Sequence, residues 1–328
     1  MSTQDTRIHA LQRWLDTLPG EFEGLHLLRA DASFRRYFRA RRDGMSVVIM
    51  DAPPEREATG PFVRIAWLLE DLGLRPPGVL EHDPDSGFVL LEDLGDRTFT
   101  RALAEGADEW PLYRHALDTL ATLHQRWPEN GRADGIPPYN HERLLAETGL
   151  YADWYWPRLN GRAMPEPMRA DFDAAWHQAL DALPNLPETL VLRDFHVDNL
   201  MLPPGDKQAC ALLDFQDAVI GSPAYDVVSL LEDARREVSA DTVTHGLEHY
   251  LSMVDMPRAS FMTHYRVLGV QRTVKILGIF VRLAERDGKP RYLEHLPRLH
   301  RLLEQGLRHP ELEPVARWFA AHTDREHA

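Results

Sequence analysis

Apolar residues recur at helical spacing near the start of the chain. Ile8, Leu11, Leu15 and Leu18 share one face and Pro19–Gly20 ends the run, which predicts a helix over about residues 6–18. The pattern then shortens: GLHLLRA, RRYFRARR and MSVVIMDAP read as strands, the last two joined by a hairpin turn at Gly44. PFVRIAWLLEDLGL returns to helical spacing, with Phe62, Ile65, Leu68, Leu69 and Leu72 on one side. PGVLEHDPDSGFVLLEDL reads as two strands around a polar turn. After Gly95 the spacing is helical over 98–126, 140–158 and 166–183, and again from Ala224 onward. Between these lies LVLRDFHVDNLMLPPGDKQACALLDFQDAVIGSPAYDV, two short apolar runs with polar loops. The expected fold is α+β, with a small β-rich part over 1–94 and a larger, mainly helical part over 95–328, joined near Glu92–Gly95.

Composition narrows the classes. The chain has 328 residues, enough for one large domain or two lobes, and 44% of them are hydrophobic. A net charge of −14 argues against general nucleic-acid binding. It leaves room for local basic pockets, at Arg35–Arg36, at Arg41–Arg42, or among Arg266, Arg272, Lys275 and Arg282. The single cysteine, Cys210, permits no intrachain disulfide and is expected to be a buried strand residue. The polar N-terminus lacks a signal-like apolar segment and no apolar run approaches ~20 residues, so a cytoplasmic protein without a membrane partner is expected. G-x-S-x-G is absent, and HERLL lacks the second histidine of a zinc protease.

The long quoted stretch carries the chemistry. Asp194 follows the run LVL, Asp214 follows ALL, and Asn199 lies five residues after Asp194. Apolar runs build a core, and a core excludes unpaired carboxylates. If the two runs pair as strands, both carboxylates open at one end, with Asn199 in reach. Carboxylates and a carboxamide are hard oxygen donors that suit Mg²⁺, and a divalent cation with a nearby carboxylate suits phosphoryl transfer.

Asp194-x4-Asn199, then Asp214-Phe215, then GSPAYDV over Gly221–Val227, and TLATLH ending at His124, together resemble the aminoglycoside phosphotransferase family. That resemblance implies a protein-kinase-like two-lobed fold that uses ATP and Mg²⁺. It implies Asp194 as the catalytic base, Asn199 and Asp214 as metal ligands, and Asp226 as a structural acceptor for backbone amides of the catalytic loop. The lobe connector, around Glu92 and Leu94, would bind adenine. The chain departs from the kinase pattern twice: Met50 stands near the position of the nucleotide lysine, and ADASFRRYFRA has no glycine where a glycine-rich loop is expected. Phosphates need cations or amides, so Ser33 and Arg35 are the candidates for the nucleotide phosphates.

YNHERLLAETGLYADWYW and YRVLGVQRTVKILGIFVRLAERDGKPRYL, with DASFRRYFR and VVIMDAPPE, resemble one branch of that family. The branch holds bacterial anomeric amino-sugar kinases of cell-wall recycling, acting on N-acetylmuramate and N-acetylglucosamine at C1. Glu147 and Trp154 would then meet the sugar, and Gln271, Arg272 and Lys275 would face the lactyl carboxylate of N-acetylmuramate. The alternatives are an aminoglycoside, choline or homoserine kinase, or a kinase-like protein that binds nucleotide without transferring phosphate.

Overall fold

The computed structural model describes residues 3–30, 34–130, 135–205 and 210–323. The chain begins with α1 (Thr3–Leu15), β1 (Phe22–Ala30), β2 (Arg36–Arg42), β3 (Met45–Asp51), α2 (Gly60–Asp71), β4 (Val79–Asp83), β5 (Phe88–Glu92) and α3 (Phe99–Ala104). It continues with α4 (Glu109–Asn130), α5 (His141–Leu150), a π-helical turn (Tyr151–Tyr155), α6 (Trp156–Asn160) and α7 (Glu166–Asp181). Four short strands follow, β6 (Thr189–Val191), β7 (Leu200–Met201), β8 (Ala211–Leu212) and β9 (Val219–Gly221). The rest is helical: α8 (Ala224–Leu231), α9 (Ala240–Met253), α10 (Arg258–Glu285), α11 (Leu296–Gly306) and α12 (Glu313–His322). These elements form two compact units, Met1–Ala107 with Val197–Asp217, and Asp108–His196 with Ala218–Ala328.

The first unit is built on an antiparallel sheet in the order β1-β2-β3-β5-β4. β2 and β3 are joined by Asp43-Gly44, both at positive φ, the backbone a tight two-residue hairpin needs. Leu11 and Leu15 of α1 pack on Phe38, Ile49, Phe88 and Leu90 of the sheet. The β7–β8 hairpin belongs to this unit. Its strands, two residues each, are too short to stand alone, and they borrow backbone from the N-terminal part: Leu212 N–H donates to Arg75 O and Leu202 N–H to Arg97 O, each at 2.8 Å.

In the second unit α10 runs for 28 residues and is buried over most of its length. Phe280, Leu277 and Val274 pack with Tyr151, Phe172, Trp176 and Trp318 in one apolar cluster. Gly278 allows a close backbone approach, since a Cβ there would lie 2.3 Å from the carbonyl carbon of Leu150. Among the described residues no helix is long and apolar enough to cross a membrane.

Two expectations are corrected. The helix expected over 98–126 is two helices, because Gly106 at φ 91 interrupts it. More important, LVL and ALL do not pair with each other. β6 pairs with β9, Leu190 opposite Ile220, and β8 pairs with β7, Leu212 opposite Leu200. β7 and β8 pair with each other inside the stretch of chain that joins β6 to β9, so two nested pairs form in place of one hairpin.

Candidate active site

Asp194 sits on the loop that follows β6. The backbone N–H groups of Leu192 and Arg193 donate to the two carboxylate oxygens of Asp226, at 2.6 and 2.9 Å. Asp226 lies on α8 with no exposed surface. Burial pushes its pKa up to about 7, against the two amides, which lower it. Pinned this way, Arg193 adopts φ 71, a left-handed conformation rare outside glycine, asparagine and aspartate. The loop then turns, so Asp194 is exposed while its neighbours Phe195 and His196 are buried. The role expected of Asp226 as acceptor for these amides is what the structure shows.

The β7–β8 hairpin carries the other pair. Leu213 N–H donates to Asn199 O at 2.9 Å, which continues the β7–β8 register and sets Asn199 beside the residue that precedes Asp214. Asp214 is left-handed at φ 58 and exposed. Gln216 Nε2 donates to Asp214 Oδ1 at 2.8 Å. Phe215 is buried and stacks on Phe62 of α2, ring centroids 5.0 Å apart, which fixes the hairpin end to the first unit. Both side chains present oxygen donors, the donor chemistry of a hard divalent cation.

Arg35 belongs to the same unit. Its guanidinium is 6% exposed, ion-paired through Nη2 with Glu57 and 4.0 Å through Nη1 from Asp214 Oδ1. Ser33 lies outside the described residues. The Glu92 carboxylate is engaged by Arg75, at 2.6 Å from Nη1, and by Gly78 N–H at 3.3 Å. Its own N–H donates to Gly78 O, so side chain and amide are both committed to the fold. Leu94 is buried against Met201 and Ala211.

In the second unit Glu147, Gln271 and Lys275 come together with a residue that the sequence did not single out for this role, Arg193. Lys275 Nζ lies 2.9 Å and Arg193 Nη2 2.6 Å from Glu147 Oε1. The Tyr139 hydroxyl donates to Glu147 Oε2 at 2.5 Å, and Gln271 Nε2 donates to Leu144 O at 3.0 Å. Burial raises the Glu147 pKa, but Lys275 and Arg193 outweigh it and hold the carboxyl below its ordinary value. Two cations face one carboxylate in a largely buried place. Arg272, one turn back on α10, is also buried and acts on other groups: it stabilises the charged forms of Asp226 and Glu232 and, with burial, keeps His196 neutral. Neither Arg272 nor Lys275 is a solvated helix face. Trp154 is not part of this cluster; it packs half-buried against the apolar core. An open cavity of about 500 Å³ in this unit is lined by Tyr139, Glu142, Glu188, Ser222, Tyr225 and His264.

Glu57 and Arg193 carried no signal of their own. Glu57 lies 22 residues from Arg35 and Arg193 lies 46 from Glu147, and no periodic pattern links such positions.

A family model described as a phosphotransferase enzyme family matches residues 24–262. A protein of Pseudomonas aeruginosa named N-acetylmuramate/N-acetylglucosamine kinase is 36% identical, over 97% of this chain and 98% of its own. One of the same name from Neisseria meningitidis is 37% identical, over 93% and 92%. A choline/ethanolamine kinase family protein of Mesorhizobium loti shares the fold, with a TM-score of 0.64 at 13% identity, over 95% of this chain and 98% of its own. A five-stranded antiparallel sheet with a mainly helical remainder is thus the kinase-like α+β fold of these proteins. The chain belongs to the APH phosphotransferase enzyme family.

Proposed function

We propose that this protein is an ATP-dependent sugar kinase that phosphorylates the anomeric C1 hydroxyl of N-acetylmuramate and N-acetylglucosamine, in the cytoplasm, as a step of peptidoglycan recycling. The observation that carries this reading is near full-length similarity, at 36–37% identity, to proteins named for those two sugars.

The chain's own groups account for the transfer. Asp194 accepts the proton of the C1 hydroxyl as its oxygen bonds the γ-phosphorus; the bond from that phosphorus to the bridging oxygen breaks, and ADP leaves with the electron pair. An anomeric hydroxyl is a stronger acid than an ordinary alcohol, so a carboxylate suffices as base. The oxygen donors of Asn199 and Asp214 fit Mg²⁺, and the chemistry that ion supplies when bound is neutralisation of triphosphate charge. Arg35 takes a phosphate, and Ser33, two residues before it in the chain, is the candidate hydroxyl. Adenine rests on the backbone around Glu92 and Leu94, since the Glu92 side chain is held by Arg75. Glu147 and Gln271 receive sugar hydroxyls, and Lys275 answers the lactyl carboxylate.

Phosphorus NMR of reactions with each sugar, ATP and Mg²⁺ tests the proposal. A new signal coupled to the anomeric proton is expected with both sugars. A signal from another position, or ATP consumption only with an aminoglycoside or choline, overturns it.

A further inference from the structure

The two sugars proposed above differ in charge: N-acetylmuramate carries a lactyl carboxylate and N-acetylglucosamine carries none. A site that takes both meets a conflict. A buried cation that waits for the carboxylate is costly when the sugar brings none, and an apolar wall in its place rejects the carboxylate. The pairing of Lys275 on α10 with Glu147 on α5 answers both demands.

Lys275 is 9% exposed, so its charge is largely out of water. Its Nζ lies 2.9 Å from Glu147 Oε1 and donates to the Tyr225 hydroxyl at 3.3 Å. An ammonium has three N–H bonds, and these two partners use two of them. Among the described residues no other carboxylate is ion-paired with Lys275. Glu147 is held in place by further donors. Its Oε2 accepts from the Tyr139 hydroxyl at 2.5 Å and from Gln271 Nε2 at 3.4 Å, and its Oε1 accepts from Arg193 Nη2 at 2.6 Å. Arg193 immediately precedes Asp194, which sets the pair beside the catalytic loop.

We propose that Glu147 is a specificity-determining residue that stands in for the substrate carboxylate as the counter-charge of Lys275, so that one site accepts an acidic and a neutral amino sugar. This deepens the sugar-kinase reading above and rests on it. With a neutral sugar the pair stays closed, and Lys275 keeps its counter-charge. With an acidic sugar the third N–H of Lys275 turns to the lactyl carboxylate, while Tyr139, Gln271 and Arg193 keep Glu147 where it is.

Calorimetric titration with each sugar, in the presence of ADP, tests this on the full chain. The proteins compared are wild type, Glu147→Gln, Lys275→Met and the double variant. The quantity read is the ratio of the two Kd values, N-acetylglucosamine over N-acetylmuramate. Glu147→Gln is expected to raise that ratio about tenfold, because Lys275 then lacks a counter-charge that only the acidic sugar restores. Lys275→Met is expected to lower it about tenfold. The double variant should match Lys275→Met, since Glu147 sets the preference through that cation. A merely structural Glu147 would weaken both sugars alike. An unchanged or lowered ratio in Glu147→Gln therefore overturns the proposal. So does a double variant that keeps the raised ratio, which would move the exchange from Lys275 to Arg193. Should Glu147→Gln not fold, Glu147→Asp decides, because it keeps the charge and withdraws it by one methylene: a raised ratio supports the proposal, and an unchanged or lowered one overturns it. A wild type that binds neither sugar overturns the substrate assignment, and this proposal with it. A wild type that binds both, beside a Glu147→Gln whose ratio has not moved, overturns this proposal alone.

Discussion

The loop after β6 and the end of the β7–β8 hairpin look alike in sequence and are held in different ways. Each follows a short apolar run, each presents an exposed aspartate, and each bends through a left-handed non-glycine residue, Arg193 at φ 71 and Asp214 at φ 58. The first is pinned by a polar anchor, the buried Asp226 carboxylate accepting two backbone amides. The second is pinned by an apolar one, Phe215 on Phe62, together with backbone bonds borrowed from Arg75 and Arg97. Strained backbone persists only where its surroundings over-determine it. Two unrelated devices meet that requirement here, one sensitive to protonation and the other to packing.

The comparison can be broken most sharply at the first aspartate. Asp194→Asn should lower kcat about 10²–10⁴-fold while leaving thermal stability and ADP affinity near wild type. Steady-state kinetics beside a melting curve check this, and a stable variant with unchanged turnover would remove Asp194 from the chemistry. On the hairpin side Phe215→Ala should destabilise the fold by about 3–5 kcal/mol, as for other buried aromatic truncations, and should weaken Mn²⁺ binding. Denaturant unfolding measures the first and paramagnetic-resonance titration the second.

The polar anchor has a pH signature that the apolar one lacks. Asp226 is raised to about 7 in the folded chain, far above an ordinary carboxyl. Between pH 4 and 7 the folded state therefore keeps a proton that the unfolded state has lost, and this contribution to stability falls as pH rises through that window. Buried His124 and His196, held neutral by burial, act in the opposite sense below about pH 6, so the useful quantity is a difference. The stability lost in Asp226→Asn should be larger at pH 5 than at pH 8, by on the order of 1 kcal/mol or more, whereas the loss in Phe215→Ala should not change with pH. A larger loss at pH 8 for Asp226→Asn would mean that the ionised carboxylate is the favoured acceptor.

The smallest effect expected concerns substrate choice. Lys275→Met keeps most of the side-chain volume and leaves Arg193 paired with Glu147. It should raise the KM for N-acetylmuramate about tenfold more than that for N-acetylglucosamine, because only the former carries a carboxylate. Equal changes in both KM values would take Lys275 away from the lactyl group.

Much of this was legible in the chain. The strands around Gly44, the helix facing Phe62, Ile65 and Leu69, and the helical spacing after Gly95 follow from short-range periodicity, which the structure reproduces because each element buries one face. Asp194 and Asp214 stood out because acids at the ends of apolar runs are costly without a purpose, and Asn199 and Asp226 because the motifs that carry the family resemblance include them. Strand partners were not legible. The runs around Leu190 and Leu212 are equally short and equally apolar, and only chain reversal and the borrowed backbone of Arg75 and Arg97 decide that they pair apart. The partners of charged groups were not legible either. Arg35 with Glu57, and Glu147 with Arg193 and Lys275, are joined across long stretches of chain, and a charge shows in sequence without showing what neutralises it. Local spacing determined which elements form and which residues carry chemistry. Tertiary packing alone decided which charges meet, because electrostatic pairing depends on distance in space and the sequence records only distance along the chain.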